Sequence, residues 1–110
     1  MNTDNLQSQM RKGVLELCIL SILAKEDSYV PDIIEKMKNS KLIVVEGTLY
    51  PLMTRLKNDG FLTYNWAESR SGPPRKYYRL TPLGKSLLKD QKKSWEDMVE
   101  SVEKIIHPNS

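Results

Sequence analysis

The sequence predicts a mainly α-helical domain with one small β-hairpin, on three observations. Apolar residues recur at helical spacing in four segments. The spacing switches to two between positions 61 and 80. The joints between segments carry glycine, proline and residues that cap helices.

The first helix is expected over about 5–25. Met10, Val14, Leu17, Cys18 and Ser21 line one face, and Leu15, Ile19, Ile22 and Leu23 line another. A helix apolar nearly all round in its second half must be covered on both sides, one by its own domain and one by something more. A short second helix follows over about 29–39, with Asp27 or Ser28 as cap and Pro31 in its first turn, where a missing N–H costs little. Its apolar stripe is Val30, Ile33, Ile34 and Met37.

The third helix, about 47–59, presents Leu49, Leu52, Met53 and Leu56 on one face. Thr54, Arg55 and Asn58 point away from it, with Tyr50 and Lys57 at its edge. Pro51 is placed in the first turn, and Gly60 ends the helix. From Phe61 the residues alternate: Phe61, Thr63 and Asn65 against Leu62, Tyr64 and Trp66, then Lys76, Tyr78 and Leu80 against Arg75, Tyr77 and Arg79. The stretch 68–74 between them is dense in turn formers, so a hairpin with a basic loop is expected.

Thr81 and Pro82 open the last helix as N-cap and first helical residue, and it runs to about Ile106. Leu88, Trp95 and Val102 repeat every seven residues, as do Met98 and Ile105, with Val99 and Ile106 beside them. So narrow a stripe on so long a helix points to pairing with a helix of a second chain. Packing within the monomer is the alternative.

Three helices, a two-stranded wing and a final helix give the order of a winged helix-turn-helix, with N- and C-terminal helices as dimerisation elements. The expected division is a winged helix-turn-helix domain over 1–81, a dimerisation helix over 82–106 and a tail over 107–110. The residues expected at the homodimer interface are Leu15, Ile19, Leu88, Trp95, Val99, Val102 and Ile105.

Composition agrees with a single domain. The chain has 110 residues, 39% hydrophobic and 28% charged, the balance of a globular protein. Its net charge is only +3, but the segment 41–80 holds seven basic groups (Lys41, Arg55, Lys57, Arg70, Arg75, Lys76, Arg79) against three acids (Glu46, Asp59, Glu68). Positive charge is concentrated where a phosphate-binding surface would need it. Cys18 is the single cysteine and reads as a small buried hydrophobe in a reducing compartment. The polar start, Met1 to Gln9, is unlike a signal peptide, and no apolar stretch approaches the ~20 residues that span a bilayer, so a cytoplasmic protein is expected. His107 is the only histidine, and no metal-ligand cluster, P-loop or dinucleotide glycine pattern occurs. No enzyme activity, metal or cofactor is expected.

The strings Glu46-Gly47-Thr48-Leu49-Tyr50-Pro51-Leu52-Met53-Thr54-Arg55-Leu56, Gly60-Phe61-Leu62 and Gly72-Pro73-Pro74-Arg75-Lys76-Tyr77-Tyr78-Arg79-Leu80-Thr81, then Gly84, resemble the PadR family of bacterial regulators, in its short-tailed subgroup with a single C-terminal helix. The chain departs from the family's usual pattern at Val30-Pro31-Asp32, where Gly-Tyr-Glu is common. It departs again at Lys57, where Glu is frequent and a lysine should add DNA affinity. The resemblance implies a homodimeric repressor released by a small ligand, and dimer symmetry predicts a pseudo-palindromic operator.

A polar helix face for the major groove and a basic hairpin tip for phosphates are the two parts such a fold uses. The expected DNA-binding residues are Thr48, Tyr50, Thr54, Arg55, Lys57, Arg70, Arg75 and Lys76. Bland readings stand beside them: Tyr50 as packing, Thr48 as a cap, Arg55 as a plain surface charge, the wing cations as a solvated turn. Of Tyr77 and Tyr78, one should be packed and one exposed. Trp95, with Met98, is the expected site of a small aromatic effector, or else simply dimer core. The competing class is a winged-helix module that binds protein instead of DNA.

Overall fold

The computed structural model describes Met10 and residues 13–109. Helix α1 spans Leu15–Lys25, α2 Val30–Asn39 and α3 Glu46–Asn58. The hairpin strands are β1, Leu62–Ser69, and β2, Gly72–Leu80, and helix α4 runs over Pro82–Ile106. The chain is mainly helical with one two-stranded antiparallel hairpin, as the periodicities require.

The first helix is shorter than expected. Residues 13–14 form a turn, so α1 begins at Leu15 instead of running unbroken from about 5. Gly13 is the physical reason, since glycine is a poor helix-interior residue. The expected helical positions 5–9, with Arg11 and Lys12, lie outside the described residues.

The core is assembled from every element. Ile19 and Leu20 of α1, Ile33 of α2, and Leu49, Met53 and Leu56 of α3 are fully enclosed, with Leu62, Tyr78, Leu80 and Leu88 around them. Each such side chain contributes about 1.5–3 kcal/mol relative to exposure. Leu15 and Ile19 were expected to face a partner, and so was Leu88. All three are instead buried in the chain's own core, because α1 packs against α4 along this side. Cys18 is half-buried on the same helix, and burial pushes its thiol pKa up.

The joints differ in detail from their sequence reading. Neither Asp27 nor Ser28 caps α2, whose N-cap is Tyr29 without a side-chain bond. Ser28 is buried, and its backbone pairs with Tyr78 in both directions: its N–H donates to the Tyr78 carbonyl at 3.1 Å and its carbonyl accepts from Tyr78 N–H at 2.9 Å. A single residue thus acts as a third strand on the free edge of β2. Asp27 accepts from Arg79 at 2.8 Å.

Helix α2 closes in a left-handed turn. Lys41 takes φ 67°, while Lys41 N–H reaches Lys38 O and Leu42 N–H reaches Met37 O, the paired bonds that satisfy terminal carbonyls. Thr48 is not a cap either, since α3 starts at Glu46 with Val45 before it. Pro51 therefore sits in the second turn and forfeits the bond to the Gly47 carbonyl. Both residues are exposed, so water can solvate that carbonyl.

At the other end of α3, Gly60 adopts φ 87°, the left-handed conformation expected of it. Thr81 caps α4 as read from sequence: its hydroxyl accepts from Gly84 N–H at 3.0 Å and donates to Gly60 O at 2.6 Å. One side chain fixes where α3 ends and α4 begins.

The hairpin is longer than its periodicity suggested. Most of the stretch expected as loop, 68–74, is strand, and only Arg70 and Ser71 form the turn. A register shift between Ala67 and Ser69 accommodates Glu68, and Pro73 and Pro74 lie beyond the reach of the Ser28 bridge, where β2 has no second neighbour.

Candidate nucleic-acid interface

Helical spacing sorts the polar residues of α3 into two flanks. Tyr50, Thr54 and Lys57 recur at four and three residues and share one flank, while Thr48 and Arg55 lie about 140° round the helix on the other. Tyr50 is 45% exposed, which sets aside its reading as packing. Thr48, Thr54, Arg55 and Lys57 are exposed as well.

The wing meets the first of these flanks. Strand alternation and the pairings Tyr64 with Tyr78 and Trp66 with Lys76 put four side chains on one face. Lys76 Nζ lies 4.0 Å from the Tyr64 ring centroid, 5.4 Å from that of Tyr78 and 5.8 Å from that of Trp66. From α3, Lys57 Nζ approaches the same Tyr64 ring at 5.6 Å. Tyr50 and Trp66 both line an open groove of about 480 Å³, whose walls also include Tyr29, Pro31, Pro73, Arg75 and Lys76.

Arg75 leaves the wing on the opposite side from Lys76. Its guanidinium stacks on Tyr29 at 4.8 Å, and Tyr29 in turn contacts Tyr77 at 5.5 Å. Hydrogen bonding to Tyr77, then the nearness of Tyr29, raises its already high pKa, so it carries its charge throughout. Of the two tyrosines, Tyr78 is buried and Tyr77 half-buried in this stack. Arg70 is exposed at the turn.

Two cations counted in the basic segment are paired. Arg55 donates to Glu16 Oε2 at 2.8 Å, and Arg79 donates to Asp27. The acids come from outside positions 41–80, so the charge separation along the chain is partly undone in space. Arg75 and Lys76 line the groove, and Lys57 lies beside it at the Tyr64 ring. Tyr29 and Trp66 line it too, and Tyr64 seats the two lysines; none of the three was singled out from sequence. Trp66 carried a usable signal, as a tryptophan on an outward strand position two residues from another aromatic.

The C-terminal helix behaves differently along its length. Its first two turns join the core through Gly84, Leu87 and Leu88. Beyond them Trp95, Met98, Val99, Val102, Ile105 and Ile106 are exposed on one side. Among the described residues, no helix is long and apolar enough to cross a membrane, and no group of residues fit to hold a metal ion occurs.

The family model for the transcriptional regulator PadR-like family matches residues 19–90, most of the winged body and the start of α4. The chain belongs to this family. It is a PadR-like transcriptional regulator, and the family's members regulate transcription and are not enzymes. Its fold agrees with solved members. A PadR-like transcription factor from Bacteroides fragilis is 58% identical, with TM-score 0.76, covering 92% of this chain and 98% of that one. A PadR-like transcriptional regulator from Bacillus cereus is 36% identical, with TM-score 0.81, over 90% of this chain and 97% of that one. Bacillus subtilis PadR, solved in complex with operator DNA, is 28% identical with TM-score 0.66, over 71% of this chain and 45% of the longer PadR chain.

Proposed function

We propose that this PadR-like regulator binds duplex DNA as a homodimer and represses transcription. The observation that carries the reading is the surface between α3 and the wing, where Tyr50, Arg75 and Lys76 line one groove and Lys57 joins Lys76 at the Tyr64 ring beside it. Helix α3 offers Tyr50, Thr54 and Lys57 to the major groove, with Thr48 and Arg55 along its flank, while Arg70, Arg75 and Lys76 lie against phosphates. That the Bacillus subtilis neighbour was solved in complex with operator DNA supports DNA binding by this fold.

The dimer is formed by the outer part of the 82–106 helix, where Trp95, Val99, Val102 and Ile105 make an apolar stripe without cover in the monomer. On the same stripe, Trp95 and Met98 receive a flat aromatic effector that changes the spacing of the two reading helices and thereby releases DNA.

Fluorescence anisotropy on a labelled duplex from the regulator's own upstream region tests the reading. Tight binding at low salt that weakens steeply as salt rises is expected, with affinity altered by planar aromatic dyes that quench Trp95. A chain that ignores duplex DNA at low salt favours a protein-binding winged helix instead.

A further inference from the structure

Among the described residues, Glu16 is the one side chain that touches both the reading helix and the C-terminal helix through side-chain hydrogen bonds. Its Oε2 accepts from Arg55 Nη2 at 2.8 Å, and its Oε1 accepts from Gln91 Nε2 at 2.9 Å. Each carboxylate oxygen is committed to a different element, so α3 and α4 are tied through a carboxylate on α1.

Gln91 is fixed by what its amide cannot do. Its Oε1 is buried with no hydrogen-bond partner. Turning the amide over would give that carbonyl to Glu16, oxygen against oxygen, and lose the bond to its carboxylate. An unpaired buried acceptor is unfavourable, and the Gln91–Glu16 bond offsets that cost by favouring the orientation in which the amide donates. Gln91 also lies four residues before Trp95, one turn along the same face of α4. A change in how α4 pairs or packs at Trp95 thus reaches Gln91 directly.

Arg55 stands at the other end. Its side chain is 56% exposed, and Glu16 takes one of its five N–H donors. An exposed arginine otherwise samples many rotamers, and ordering it on DNA is unfavourable.

We propose that Gln91 and Glu16 are positioning residues that set the orientation of Arg55, so that movement of α4 alters DNA affinity through this chain of hydrogen bonds. The proposal rests on the reading of α3 as the DNA-contacting helix. It assigns a route by which the dimer helix acts on that contact without itself touching DNA.

Gln91→Leu isolates the link, because it removes the amide, changes no charge and deletes the buried unpartnered carbonyl. The melting temperature should stay level or rise. In the free protein, the Arg55 Nε–Hε signal should exchange faster, as Glu16 loses its second tether. Operator affinity should fall about 5-fold, the lower end of typical coupling between sites. In an Arg55→Ala background the same substitution should have no effect on affinity, because nothing remains for it to orient.

An unchanged Arg55 signal in Gln91→Leu overturns the link, whether or not DNA is bound. A loss of affinity that persists in the Arg55→Ala background overturns it as well. Arg55→Ala binding as tightly as wild type removes Arg55 from the DNA contact, and with it the consequence proposed here.

Discussion

Lys76 of the wing and Tyr64 of the opposite strand form a cation–π pair at 4.0 Å, on the sheet face that also receives Lys57 from α3. The aromatic ring holds two ammonium groups near one surface, where their mutual repulsion favours an anion. Arg75 is held separately by Tyr29 on the other side of the wing. The wing therefore presents its charges in two directions instead of one cluster at the tip.

With the wing lying against DNA as proposed, that separation predicts two independent phosphate contacts. Each of Lys76→Ala and Arg75→Ala should weaken binding to every duplex alike and reduce the slope of log K against log salt by about 0.9, with the double variant losing about twice as much. Anisotropy titrations over a salt series read both quantities. A double variant with the slope of the wild type would remove the wing from the DNA surface.

Burial separates two positions that the heptad made equivalent. Leu88 and Val102 belong to one sevenfold repeat, yet Leu88 is enclosed in the monomer core at 6% exposure while Val102 is 45% exposed. Val102→Glu should yield a folded monomer by sedimentation, with helical circular dichroism retained. Leu88→Glu should unfold the chain, since an unpaired buried ion costs several kcal/mol. A Val102→Glu chain that remains dimeric would place the interface elsewhere.

Gly84 is set by the close approach of α4 to the end of α3. A methyl group built there would overlap the Phe61 carbonyl oxygen, and that carbonyl is held in place by Thr81 N–H at 3.1 Å. Gly84→Ala should therefore lower stability by about 1–3 kcal/mol despite the better helix propensity of alanine. Chemical denaturation reads the difference. A stabilised variant would mean that the joint is looser than this.

Lys41 offers the opposite case. It holds φ 67° at the end of α2, a conformation that costs a side-chain-bearing residue about 1–2 kcal/mol and glycine little. Lys41→Gly should raise stability by about 0.5–1 kcal/mol once the extra freedom of glycine in the unfolded chain is offset. The same denaturation measurement checks it.

Much of this architecture was legible in residue spacing. The stripes of α2 and α3, the Gly60 turn and the Thr81 cap each follow from local chemistry and stand where the sequence placed them. What spacing concealed was tertiary. An apolar residue on α1 reads alike whether it meets its own domain or a partner, so Leu15 and Ile19 were misplaced on an interface. Ser28 looked like a cap because serine suits caps; its role as a strand partner depends on Tyr78, fifty residues later. Arg55 and Arg79 counted as free charge until Glu16 and Asp27 arrived beside them through the fold. In the site, the cations were visible singly, but their aromatic seats required the register of β1 and β2.

Recovery of bound duplexes from a random-sequence pool most directly tests whether α3 and the wing read DNA as a symmetric pair. The expected result is enrichment of one inverted repeat whose half-sites lie on one side of the duplex, lost when the pool is challenged with Lys57→Ala/Lys76→Ala protein. Recovery of no preferred sequence, or of a single unrepeated half-site by the wild-type chain, would contradict it.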